Sequence, residues 1–120
     1  MKKILVADDD PAICDSLQFM LEEEGYTVST TVNGETVQKM TKEFPDLLLL
    51  DVWMSGHDGR EICKELKQQA ATKHIPIILV SASRDIMRSA HEAGANDFVA
   101  KPFQMDELLG KVSKWLAASI

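Results

Sequence analysis

The 120-residue chain carries 13 basic and 19 acidic side chains, for a formal charge of −6. This length suits one domain with one core and excludes two, and a composition of 45% apolar and 27% charged residues excludes an intrinsically disordered chain. The acidic balance argues against direct binding to nucleic acid, because duplex affinity rests on many Lys and Arg contacts to phosphate. No apolar run approaches the roughly 20 residues needed to cross a bilayer.

Five short apolar runs recur, and each is followed by a helical pattern. The first, Ile4–Ala7, begins so close to Met1 that no secretory signal is expected. A helix follows it, with Asp10 at the N-cap, Pro11 at the first turn, an inner face of Ile13, Leu17, Met20 and Leu21, and a stop at Gly25. The second run is Tyr26–Thr31. Asn33-Gly34 opens its helix, with Val37, Met40 and Phe44 expected to face inward and Pro45 to close it. The third run, Leu47–Leu50, precedes a helix marked by Ile62, Cys63 and Leu66, and the segment Gln68–His74 is the most linker-like. The fourth run, Ile77–Val80, leads to a short helix expected from about Arg84 to Ala93. The fifth, Phe98–Ala100, leads to a helix with Leu108, Leu109, Val112 and Leu116 on one face.

Unbroken runs without period-two alternation suit strands covered on both faces. Five strand–helix units joined by right-handed crossovers predict a (βα)5 three-layer sandwich, one α/β unit over residues 1–120. Cys14 and Cys63 form no CxxC pair or His cluster and read as reduced packing residues of a cytoplasmic protein. His57, His74 and His91 lack metal-ligand spacing. Trp115 reads as packing against a neighbouring helix, and Lys111 and Lys114 as charges that complement the last helix's C-terminal dipole.

Every strand of a parallel sheet ends on the same edge, where ligands bind. The first run ends in Asp8-Asp9-Asp10, the third in Asp51, the fourth in Ser81 and the fifth in Lys101-Pro102. Asp10 is explained by capping. Asp8, Asp9 and Asp51 converging would raise one another's pKa, and a divalent cation relieves such a cluster. Carboxylates without His or Cys suit a hard ion, Mg2+ or Mn2+. A metal ion with the Lys101 ammonium and the Ser81 hydroxyl matches the needs of a dianionic phosphoryl group. No hydroxyl or thiol nucleophile stands beside a base, so Asp51 is the natural acceptor, forming an aspartyl phosphate.

These residues, in order, resemble the receiver domain of two-component response regulators. The resemblance runs from Lys3 to about Leu116. It is carried by Ile4–Pro11, by Asp46–Asp51 through Met54 to Asp58-Gly59, by Ser81-Ala82, and by Gly94–Phe103. It implies a flavodoxin-like sheet of strand order 2-1-3-4-5 with helices on both faces. It also implies that Asp51 is the phosphoacceptor, that Asp9 ligates Mg2+ directly and Asp8 through water, and that the Trp53 carbonyl is the backbone ligand. Ser81 and Lys101 would hold phosphoryl oxygens, and the Lys101–Pro102 bond would be cis. Phe98, three residues before Lys101, matches an aromatic switch position, coupled to Ser81 through the loop that runs to Arg84. The implied donor is a sensor histidine kinase or a histidine phosphotransfer protein. The implied output surface is the fourth helix, fifth strand and fifth helix, read by a downstream protein. Such a domain catalyses only its own phosphorylation and dephosphorylation, and no output domain is expected within these residues.

Two positions depart from the family pattern. Ser55 stands where Pro commonly follows Met54, which predicts a looser loop. Trp53 is bulky for a place beside the attacking water and is expected to screen it. Rival readings fit less well. A metal-dependent phosphatase of the aspartyl-phosphate type would want a second Asp at position 53. An FMN flavodoxin would want a Ser/Thr/Gly-rich loop where three aspartates stand, and a GxxxxGK[ST] loop is absent. The complete acidic set argues against a scaffold that binds partners without phosphorylation.

Overall fold

Strands that are apolar on both faces and helices with one apolar stripe bury themselves by stacking in layers. A computed structural model describing residues 2–54, 56–82 and 86–118 shows this arrangement. The elements are β1 (Lys3–Ala7), α1 (Pro11–Glu23), β2 (Thr27–Thr31), α2 (Gly34–Gln38), β3 (Leu47–Asp51), β4 (Trp53–Met54), β5 (His57–Asp58), α3 (Gly59–Gln68), β6 (Ile77–Ser81), α4 (Ile86–Ala93), β7 (Asp97–Ala100) and α5 (Met105–Ala118). The main sheet is parallel in the order β2-β1-β3-β6-β7, which is 2-1-3-4-5 once the small β4–β5 pair is set aside.

Period two divides the core. Leu47 and Leu49 join Ile4, Val6, Ile78, Val80 and Val99 against Cys14, Leu17 and Leu21 of α1 and Leu108, Val112 and Leu116 of α5. Leu48 and Leu50 join Ala7, Ile77 and Leu79 against Val37, Ile62, Cys63, Leu66, Ala90 and Ala93 of α2, α3 and α4. All four leucines are buried, which is why this strand reads as an unbroken apolar run. Both thiols are buried and free. Among the described residues no helix is long and apolar enough to cross a membrane.

The helix starts expected at Asp10 and Asn33 are capped, and Asp58, not read as a cap from the sequence, caps α3. Asp10 accepts from the Ala12 N–H at 2.9 Å, Asn33 from Glu35 at 2.8 Å and Asp58 from Arg60 at 2.9 Å.

Four details differ from the expectations. β2 is an edge strand paired only with β1, and Val28 is its one fully buried residue, so it is not covered on both faces. α2 ends at Gln38 rather than near Pro45, because Met40 N–H turns back to the Val37 carbonyl and Glu43 adopts φ +55°. Met40 and Phe44 still pack on the core, but from a loop. The Gln68–His74 segment is tied down rather than linker-like, since buried Thr72 donates its hydroxyl to the Leu66 carbonyl at 2.7 Å. The hairpin of β4 and β5, pairing Trp53 with Asp58 and Met54 with His57, was not anticipated. Gly56 supports its turn with φ +72°. The expected looseness at Ser55, the loop to Arg84 and the helix start expected at about Arg84 lie outside the described residues.

Candidate functional site

The register of the sheet builds the site. Ala7 of β1 lies beside Leu50 of β3, so Asp8 and Asp51 follow at neighbouring strand ends. Asp8 and Asp51 share the period-two face of Val6 and Leu49, and Lys101 shares that of Val99. Three residues far apart in the chain therefore meet on one side of one rim.

The Lys101 ammonium lies 3.1 Å from Asp8 Oδ2 and 3.6 Å from Asp51 Oδ1. The other oxygen of Asp8 accepts from the Asp10 N–H at 3.0 Å, and the buried Cys14 thiol donates to the Asp8 carbonyl at 3.2 Å. Asp8 and Asp51 are buried and Asp9 is exposed. One ligand atom from each of the three carboxylates falls within 4.8 Å of the others. An all-oxygen set this close, short of positive charge, fits a hard divalent cation.

Burial pushes Asp51 up to about 6, helped by the Asp8 charge and opposed by Lys101. Burial also works against the Lys101 ammonium, but Asp8 and Asp51 outweigh it and raise its pKa.

Behind Asp51, Gly59 brings the start of α3 hard against β3. Its N–H donates to the Val52 carbonyl at 2.6 Å, and a Cβ there would overlap the Asp51 carbonyl oxygen. This close approach explains the Asp58-Gly59 pair noted in the sequence.

Ser81 ends β6, is 1% exposed, and its carbonyl accepts from the Lys101 N–H at 2.8 Å. The Lys101–Pro102 peptide bond is cis. Beside Lys101 and Pro102 an apolar cleft of about 540 Å3 opens between α1 and the start of α5, walled by Ile13, Leu17, Phe103 and Met105. Trp53 is 59% exposed at the rim, with the Arg60 guanidinium 5.1 Å from its ring centroid. Arg60 is held in turn by both carboxylate oxygens of Asp58. Phe98 is half-buried against the α3–α4 side of the core.

A model of the response regulator receiver domain family matches residues 4–113. The chain belongs to this family. Among curated relatives, it is 36% identical over 115 residues to the DNA-binding dual master transcriptional regulator RpaA of Synechocystis sp., covering 93% of this chain and 48% of that protein. The chain thus spans about half the length of that relative. Among solved structures, it superposes on the response regulator TrrA of Thermotoga maritima, which was solved in complex with Mg2+–BeF, with a TM-score of 0.84 and 39% identity over 96% of this chain and 99% of that one. It also superposes on the receiver domain of a signal transduction histidine kinase from Syntrophus aciditrophicus, with a TM-score of 0.89 and 32% identity over 98% and 92%. Receiver domains are signalling switches that accept phosphoryl groups from histidine kinases or phosphotransfer proteins.

In this receiver domain, Lys111 and Trp115 of α5 have partners on β7 that the reading of the sequence did not assign. Lys111 does not merely complement the helix dipole: its ammonium reaches Asp97 Oδ1 at 3.1 Å and the Phe98 carbonyl. Trp115 donates Nε1–H to Asp97 Oδ2 at 2.8 Å, so its polar partner is on a strand rather than a helix. The i, i+4 spacing of Lys111 and Trp115 was the available signal, since it puts both on one face of α5.

Proposed function

We propose that this receiver domain, residues 1–120, is a phosphorylation-dependent switch. It takes a phosphoryl group onto Asp51 from a phosphohistidine of a sensor kinase or phosphotransfer protein. The observation that carries this reading is the buried Asp51 carboxylate at the end of β3, within reach of Lys101 and of two further carboxylates. Asp8, Asp9, Asp51 and the Trp53 carbonyl would hold Mg2+, or Mn2+ by the same oxygen chemistry, and the bound ion supplies positive charge to the phosphoryl oxygens.

An Asp51 oxygen attacks phosphorus in line as the phosphorus–nitrogen bond of the donor breaks and the imidazole leaves. Lys101 neutralises charge on the transferred group and Ser81 donates a hydroxyl hydrogen to it, so the protein contributes positioning and electrostatics. The apolar cleft beside Lys101 gives a donor protein a surface to rest on while its histidine reaches the rim. Water later hydrolyses the acyl phosphate, and the domain turns over no substrate besides itself.

The new group adds roughly −1.5 to −2 charges and three acceptor oxygens. Ser81 moves to bond one of them and Phe98 changes orientation, altering the surface of α4, β7 and α5 that a downstream protein reads. A coupling of about 1–3 kcal/mol is enough to shift such an equilibrium. The net charge of −6 supports an output made through contact with a protein rather than directly with nucleic acid or membrane, and a cytoplasmic setting belongs to the same proposal.

Incubation with acetyl phosphate and Mg2+ tests the reading. The wild type should gain one phosphoryl group by intact mass, and Asp51→Asn should gain none. Labelling of Asp51→Asn, or labelling of the wild type in excess chelator, would overturn it.

A further inference from the structure

Outside the acidic rim, hydrogen bonds converge on Asp97 and Phe98 at the start of β7. The Asp97 carboxylate collects the Phe98 N–H at 2.8 Å, the Trp115 Nε1–H at 2.8 Å and the Lys111 ammonium at 3.1 Å. The same ammonium donates to the Phe98 carbonyl and stands 4.7 Å from the centroid of the Phe98 ring. Two oxygens therefore fix the cation, and the ring lies against it. A cation this close to an aromatic ring is attracted by the ring's quadrupole, and more strongly as water is excluded. Here the Lys111 side chain is only 26% exposed.

The ring has room elsewhere. A cavity of about 180 Å3 adjoins Phe98, and its other walls are Ala90, His91, Ala95, Asn96 and Asp97, from α4 and from β7 with its approach, not from α5. Among the described residues, then, Phe98 borders open space beside α4, while α5 offers its ring a charge.

We propose that Lys111 is a positioning residue for Phe98, holding the ring by cation–π attraction in the orientation of the unphosphorylated protein. The inference rests on the proposed function, in which Phe98 reorients when Asp51 is phosphorylated. Reorientation has to break the Lys111 contact, so Lys111 biases the switch toward rest. By linkage, whatever holds the ring at rest weakens binding of a phosphoryl mimic at Asp51 by a corresponding factor.

The test is the affinity of the whole chain for beryllofluoride in Mg2+, measured for wild type, Lys111→Met, Lys111→Arg, Phe98→Leu and the Lys111→Met/Phe98→Leu double variant. Methionine keeps the apolar stem and removes the charge. Lys111→Met should bind about two- to five-fold more tightly, the factor expected for one partly exposed cation–π contact. Lys111→Arg should return to the wild-type value. In the Phe98→Leu background Lys111→Met should have no effect, because leucine has no π face.

A lysine that served only as a strut for Asp97 would shift affinity equally in both backgrounds, and that result overturns the inference. Unchanged or weaker binding by Lys111→Met overturns it too. Lys111→Gln makes the same comparison should the methionine variant fail to fold. Failure of the wild type itself to bind beryllofluoride would defeat the proposed function, and this inference with it.

Discussion

Burial and the Asp8 charge disfavour the ionised Asp51 carboxylate, and Lys101 offsets them only in part. The Asp51 pKa, raised from an ordinary 3.8 to about 6 by burial and by Asp8, means that the fold favours the protonated carboxyl. That contribution is fully present below about pH 4 and is lost as pH rises through about 6. Metal-free wild type should therefore lose stability over this window, by about 2–3 kcal/mol at most. Asp51→Asn, which cannot ionise, should be more stable than wild type at pH 7.5 by a similar amount and should match it near pH 4. Urea unfolding in chelator at both pH values checks this, and equal midpoints at pH 7.5 would contradict it.

Trp53 poses a separate question at the same scale. It is exposed, its ring is contacted by Arg60, and Asp58 holds Arg60 in turn; we propose that it screens the attacking water. Trp53→Asn should shorten the life of the phosphorylated state several-fold. The decay of labelled protein after donor removal measures this, and a wild-type lifetime equal to or shorter than the variant's would refute the screen.

At the scale of elements, the close approach of α3 to β3 matters most to the site. Gly59→Ala would set a methyl against the Asp51 carbonyl and within 2.9 Å of the Val52 Cα, both backbone atoms that cannot swing aside. It should cost about 1–3 kcal/mol, as overpacking does, and should also reduce Asp51 labelling because the strand end must shift.

The opposite rim of the sheet depends on a different device. Lys67 of α3 donates to the Ile75 carbonyl and to Asn96 Oδ1, both at 2.7 Å, and Asn96 Oδ1 also accepts from the Ile77 N–H. Burial lowers the Lys67 pKa, yet the ammonium clasps the entries to β6 and β7 through neutral oxygens. Lys67→Met should destabilise the protein by about 1–3 kcal/mol in chemical denaturation by leaving those acceptors short of a donor, with Asp51 labelling retained. Undiminished stability would show that the clasp contributes nothing.

At the scale of the molecule, metal binding should report on folding as a whole. A ligand that binds only the native state adds about 1.4 kcal/mol at ten times its dissociation constant. The melting temperature should therefore rise with Mg2+ concentration, and the rise should be much smaller in Asp9→Asn. A wild-type melting temperature indifferent to millimolar Mg2+ would count against the cluster as a metal site.

The elements themselves were legible locally. The strands at Leu47–Leu50 and Ile77–Val80, the helix starts at Asp10 and Asn33, and the stripe Leu108, Val112 and Leu116 follow from patterns a few residues long. Hydrogen bonding and side-chain period express such patterns within one element. The acids at the strand ends were legible as a group because a parallel sheet puts all its strand ends on one edge. Other features had no local signal. The early end of α2 and the exposed edge of β2 depend on what lies beside them in the folded sheet. The β4–β5 hairpin depends on how the chain must turn between β3 and α3. The pairing of Lys101 with Asp8, 93 residues apart, and the seat of Lys111 over Phe98 depend on register between strands and on the face that α5 turns to the sheet. Period and capping are short-range and are written in the chain, whereas register, edge position and the meeting of distant charges arise only when separate elements bury their apolar faces against each other.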